Sequence, residues 1–110
     1  MQIGCFHQTR DGFEGRITSL MIDAPVCLVP ALSSDAENAP QWRLLRGDSE
    51  TGIEIGAGWN RTGERAGDYI ALQFDDPQFA ESVRANLLRS SQSDGQYILL
   101  WSRPNPRDRR

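Results

Sequence analysis

Residues 53–74 read IEIGAGWNRTGERAGDYIALQF, and the architecture of the whole chain follows from the periodicity inside them. Ile53, Ile55, Ala57 and Trp59 recur at every second position. After a polar, glycine-punctuated segment from Asn60 to Asp68 the alternation returns, with Ile70, Leu72 and Phe74 on one side and Tyr69, Ala71 and Gln73 on the other. A period of two belongs to a strand, whose successive side chains point to opposite faces; a helix would repeat its apolar residues three and four apart. Two such strands joined by a polar tip make a β-hairpin. Gly56 and Gly58 lie on the face opposite Trp59, where alternate glycines either accept a close neighbour or mark a bulge; a bulge or bend is expected here.

The same grammar extends in both directions. Upstream, Ile3 to Gln8 reads as a first strand, and Thr9-Arg10-Asp11-Gly12 as a turn with glycine supplying a positive φ. Phe13, Gly15, Ile17 and Ser19 then alternate with Glu14, Arg16 and Thr18, the pattern of a half-buried strand. Val26 to Val29 is apolar on both sides, hence central or covered, and Pro30 places a strand end or sheet edge after it. Ser33 to Pro40 is the main surface loop, Gln41 to Arg46 a further strand, and Gly47 to Glu50 a turn. Downstream, Asp75-Asp76-Pro77 ends the amphipathic strand, with Asp76 as a helix cap and Pro77 at the first position of one short helical turn. Arg84 to Arg89 and Tyr97 to Trp101 then pair across the turn signal Ser91 to Gly95. Many short strands with turn residues between them predict an all-β domain, a small antiparallel meander closing into a barrel or sandwich over residues 1–103. Residues 104–110 form an Arg/Pro-rich flexible tail without an apolar partner.

Composition narrows the function. At 110 residues, 38% hydrophobic and 25% charged, the chain suits one globular core. A formal net charge of -3 supplies no long-range attraction to nucleic acid or to an anionic membrane, so any anion site must be local. Every basic residue other than His7 is arginine, whose planar fork suits carboxylate, phosphate or aromatic partners. Cys5 and Cys27 sit in apolar stretches without metal-ligand spacing and read as buried free thiols. With no secretory leader pattern and no apolar run near the ~20 residues of a membrane helix, a cytoplasmic location is expected.

In these pieces the chain resembles the bacterial domain-of-unknown-function family number 736. The resemblance is carried by Ile3-Gly4-Cys5-Phe6, Asp11-Gly12-Phe13-Glu14-Gly15-Arg16-Ile17, Asn38-Ala39-Pro40, Glu54-Ile55-Gly56-Ala57-Gly58-Trp59, Gly67-Asp68-Tyr69, Asp75-Asp76-Pro77-Gln78-Phe79, Ala85-Asn86-Leu87 and Trp101-Ser102-Arg103. It implies a nearly all-β protein encoded on plasmids and integrated mobile elements, with no activity to carry over. Arg61 and Arg65 stand where relatives often have lysine, and Gly58 follows Ala57 where a bulkier residue is common.

Catalytic chemistry has little to work with. The single histidine, His7, lies in a strand without a nucleophile motif, and Asp75-Asp76 reads as a turn. Gly56-Ala57-Gly58 and Gly63 to Gly67 precede no helix and lack the Gly-Lys-Ser/Thr ending of a phosphate loop. No cofactor and no metal site is expected. Trp42 with Arg43, Trp59 with Arg61 and Arg65, Tyr69, and Trp101 with Arg103 place aromatics beside arginines. Such residues stack bases and neutralise phosphates in single-strand binders, and they are equally the types enriched where proteins dock. The sequence therefore points to a binding module with a protein or a nucleic acid as partner, its candidate surface being Trp42, Arg43, Trp59, Arg61, Arg65, Tyr69 and Arg103. A homodimer through an edge strand near Ile3 or Pro30 is a further expectation.

Overall fold

The computed structural model describes residues 1–20, 22–32, 37–64, 67–77, 79, 81–90 and 95–102. They form eight antiparallel strands: β1 (Gln2–Gln8), β2 (Phe13–Thr18), β3 (Asp23–Pro30), β4 (Trp42–Arg46), β5 (Ile53–Gly63), β6 (Gly67–Phe74), β7 (Val83–Arg89) and β8 (Gln96–Leu100). Each pairs with its sequence neighbour, and β8 returns to β1, so the meander closes into a barrel and not a sandwich. At the seam the Met1 ammonium donates to the Trp101 carbonyl at 2.9 Å and the Trp101 N–H to the Met1 carbonyl at 2.8 Å. Closure gives each strand two partners, so the edge through which a homodimer was expected to pair is absent among the described residues.

Eight strands enclose a space that side chains can just fill. Ile17, Leu28, Leu44, Leu72, Leu87 and Leu99 fill it, all essentially inaccessible, and Ile3, Phe6, Phe13, Val26, Ile70, Phe74 and Ala85 complete the core. They are the inward halves of the alternating strands, as the periodicity requires.

Four local readings change. Gly12 has no positive φ; a Cβ on it would lie 2.0 Å from the Leu28 carbonyl oxygen, so glycine is needed there because β3 passes so close. The hairpin tip is tighter than Asn60 to Asp68, since β5 and β6 stay paired from Asn60↔Ile70 out to Gly63↔Gly67. The 53–59 alternation is interrupted: the register passes from Leu44↔Gly56 to Leu45↔Glu54, leaving Ile55 as the extra residue of a bulge. Ile55 therefore packs against the core while Ile53 is 68% exposed, and only Ala57 and Trp59 keep the outward side. Gly58 is on the inside, where a Cβ would meet Leu72 at 2.8 Å and Ile70 at 2.9 Å. Finally, the segment at Pro77 is a single turn, closed by the Phe79 N–H on the Asp76 carbonyl at 2.9 Å, with no helix among the described residues.

Candidate functional site

Because the barrel interior is filled, ligands and partners have the outer wall and the two ends available. The candidate residues divide between the outer wall and one end. Trp42 pairs with Gly58 and therefore points inward, at the end of the barrel bearing the β5–β6 hairpin. Its indole N–H donates to Asn60 Oδ1 at 2.8 Å, and its ring meets Phe13 edge-on with centroids 5.5 Å apart. Phe13 contacts Tyr97 in the same way at 4.8 Å. These rings line a cup of about 860 Å³ with Asn60, Thr62 and Asp68 at its rim.

Trp59 pairs with Ala71 and faces outward. Its indole N–H donates to the carbonyl of Asn38 at 2.7 Å, and Asn38 holds a left-handed φ of 61° in doing so. Two stretches that lie far apart in the chain, 38–40 and 54–59, are thereby joined. Gln41 strengthens the junction, its Oε1 accepting the Asn60 N–H at 2.9 Å and its Nε2 donating to the Ala39 carbonyl at 3.1 Å. Arg61 pairs with Tyr69 beside Trp59 and borders both the wall and the cup. Trp59, Arg61 and Tyr69 are thus brought together, and Trp42 is on the other side of the sheet. Arg43 is outward but held by Glu54, Nε to Oε1 at 2.5 Å. Arg65 and Arg103 lie outside the described residues, as do residues 104–110.

Beyond Trp59 the wall continues across β6, β7 and β8. With Leu87 and Leu99 inward, Leu88 and Ile98 face out as a pair, and Ile98 is opposite Cys5 of β1. Leu100 is opposite Asn86 in the next rung. Leu88, Ile98 and Leu100 are half-buried and outside the core cluster. The only acidic residue in these three strands is Asp68, which faces the cup, whereas Arg84 projects outward from β7. The other half of the barrel is different: its outward charges pair with one another, Arg16 with Asp23 at 2.5 Å and His7 with Glu14 at 3.6 Å. Sequence reasoning missed the aliphatic wall. Its signal was Tyr97-Ile98-Leu99-Leu100, a strand apolar on both faces in a fold that buries only one.

Other chemistry is thinly represented. No group of three or more His, Cys, Asp or Glu side chains is placed to hold a metal among the described residues. His7 and Glu14 are more than half exposed on the outer surface rather than set in a cleft. Cys5 is exposed rather than buried as its apolar setting predicted, and Cys27 is buried. Burial, with the charges of Glu14 and Asp48 behind it, raises the pKa of the Cys27 thiol. No described helix is long and apolar enough to cross a membrane.

A family model described as protein of unknown function (DUF736) matches residues 2–104. No curated protein and no solved structure matches the chain.

Proposed function

Since the chain belongs to the DUF736 family, whose description assigns it no activity, its function has to be argued from its surface, and we propose that the barrel is a cytoplasmic protein-binding module. Its partner is a protein segment that combines apolar side chains with acidic ones. The observation that carries this reading is the outer wall of β6–β8, where Tyr69, Leu88, Ile98 and Leu100 stand outside the core beside Trp59, flanked by Arg61 and Arg84, with no outward acidic residue. Interfaces concentrate such residues, with an apolar centre, aromatic and arginine anchors and few carboxylates. A second copy of the chain fits poorly, because a two-fold contact would place these arginines against each other with no carboxylate on the wall to receive them.

Single-stranded nucleic acid is less well matched. Trp59 and Tyr69 are the right types for stacking, but the aliphatic centre contributes nothing to tracking a phosphate backbone. The two wall arginines would also supply few of the phosphate contacts on which such affinity depends.

A photo-crosslinking residue at Asn86, with one at Thr18 on the opposite wall as control, tests the reading in native cells. The expected result is a discrete adduct from position 86 alone, to a protein that, once purified, binds with affinity reduced at least about tenfold by Ile98→Glu and by added salt. Circular dichroism of the variant confirms an intact barrel. Equal adducts from both walls, or unchanged affinity in Ile98→Glu, overturns the proposal, as does saturable, salt-sensitive quenching of tryptophan fluorescence by single-stranded oligonucleotides that Trp59→Phe abolishes.

A further inference from the structure

The cup at the hairpin end of the barrel opens on the inner side of β5 and β6 and meets the wall only along Arg61 and Tyr69, and its construction is that of a small-molecule site. Its floor is the closed aliphatic core, with Leu87 1% and Ile70 8% exposed, so whatever enters must stay in the mouth. Its sides are the rings of Phe13, Trp42 and Tyr97. Phe13 contacts both of the others edge-on, at interplanar angles of 63° and 75°, which fixes the three in one arrangement. Trp42 and Tyr97 nevertheless are only partly buried, so some ring surface is available. At about 860 Å³ the cup is within the range of pockets that hold a compact ligand.

The rim carries hydrogen-bonding groups of both kinds on the same face of β5 and β6, two rungs apart. Asn60 turns Oδ1 to Trp42 and accepts its indole N–H, which leaves the donor pair on Nδ2 for a ligand. Asp68 takes the Thr62 hydroxyl on Oδ1 at 3.0 Å, and its other oxygen keeps acceptor capacity. The ladder places Thr62 opposite Asp68 and Asn60 opposite Ile70, two rungs apart with the outward Arg61↔Tyr69 rung between, so donor and acceptor share the inward face beside the rings. An apolar molecule would leave both groups unused, and a simple cation would have Arg61 and Arg89 close by.

We propose that this mouth binds a flat heteroaromatic molecule whose edge presents a hydrogen-bond donor next to an acceptor. The ring slides between Trp42, Phe13 and Tyr97, its donor meets Asp68 and its acceptor meets Asn60. The groups that would hold the ring, Phe13, Trp42, Tyr97, Asn60 and Asp68, face away from the outer wall, on the other side of the β5–β6 sheet.

The indole N–H resonances of Trp42, Trp59 and Trp101, assigned through single Trp→Phe variants, give a site-resolved readout with guanosine as the probe and 1-methylguanosine, which lacks the ring donor, as control. The expected result is a saturable shift of the Trp42 resonance at up to millimolar guanosine, with Trp59 and Trp101 unmoved. Asp68→Ala, checked for an unchanged thermal melt, weakens the response about tenfold, and 1-methylguanosine binds wild type weakly by a similar factor. The proposal is overturned by a Trp42 resonance that stays still, by equal movement of all three tryptophans, or by equal responses to the two nucleosides.

Discussion

Gly56→Ala adds one methyl group at a position where β5 and β6 leave no room for it. A Cβ on Gly56 would lie 2.2 Å from the Gln73 carbonyl oxygen, 2.7 Å from Phe74 Cβ and 2.8 Å from Phe74 Cα. Comfortable separations are about 3.5 Å, and the nearest obstacle is backbone, which cannot rotate away as a side-chain tip would. The two strands must part by roughly 1 Å beside the Gly56↔Phe74 rung and the adjoining Asp75 N–H to Ile55 carbonyl bond of 3.0 Å. Overpacking of this kind costs about 1–3 kcal/mol, and each ladder bond stretched out of range adds about 0.5–1.5 kcal/mol. Against this, alanine narrows the unfolded ensemble and returns about 0.4–1 kcal/mol. With one ladder bond stretched the net is a loss of about 0.5–4 kcal/mol, centred near 2 kcal/mol, or a fall in Tm of roughly 2–16 °C for a domain of this size. Urea unfolding followed by tryptophan fluorescence, together with thermal melts, measures it. Gly67→Ala is the reference, a site with φ of 69° and nothing within 4 Å, where only backbone strain of about 1 kcal/mol applies. A Gly56→Ala variant within about 0.5 kcal/mol of wild type would refute the close approach and, with it, the bulge at Ile55 that aims Gly56 at β6.

Leu44→Ala, at a side chain with no exposure, should cost about 2–5 kcal/mol in the same unfolding assay. Leu88→Glu on the wall should stay within about 1 kcal/mol of wild type, since its side chain is outside the core. A thiol reagent at neutral pH should modify Cys5 in the folded protein and reach Cys27 only in denaturant, because burial both blocks the thiol and raises its pKa. Asp48 accepts from the N–H groups of Thr51 and Glu50 and from the Thr51 hydroxyl, which lowers its pKa below the usual carboxylate value. Its stabilisation is therefore present above about pH 4 and is lost as pH falls through the lower folded value. Asp48→Asn should accordingly lower Tm at neutral pH, with the gap from wild type closing in acid.

The strands were legible because a barrel wall imposes period two almost everywhere, and Phe13 to Ile17 and Ile70 to Phe74 obey it without exception. Trouble began where a single residue was inserted. Ile55 shifts the phase of β5, so Ile53, Ile55, Ala57 and Trp59 do not share one face as their alternation suggested; Gly56 and Gly58 did signal the bulge, but nothing local says which residue it inserts. The candidate site was legible by residue type and not by side. Trp42 and Trp59 look alike in sequence, each followed by polar or arginine neighbours, yet their opposite directions depend on the Trp42↔Gly58 register, a long-range fact. The aliphatic wall was overlooked because Tyr97 to Trp101 reads simply as an apolar strand, and only ring closure shows that β8 has water on one side.

The rung from Gln2 to Leu100 joins positions 98 residues apart, the most distant in the ring, and its consequence is kinetic. Seven ladders connect sequence neighbours and can zip progressively, whereas the eighth waits for the rest and bears the largest loop-closure entropy. Until it forms, the chain is a curled ribbon with two open edges, β1 and β8, and Cys5 and Ile98, which will become neighbours across the seam, lie on those edges. A ribbon in that state can add a strand from another molecule as readily as its own. Concentration during refolding, more than temperature, should therefore decide how much protein reaches the closed form.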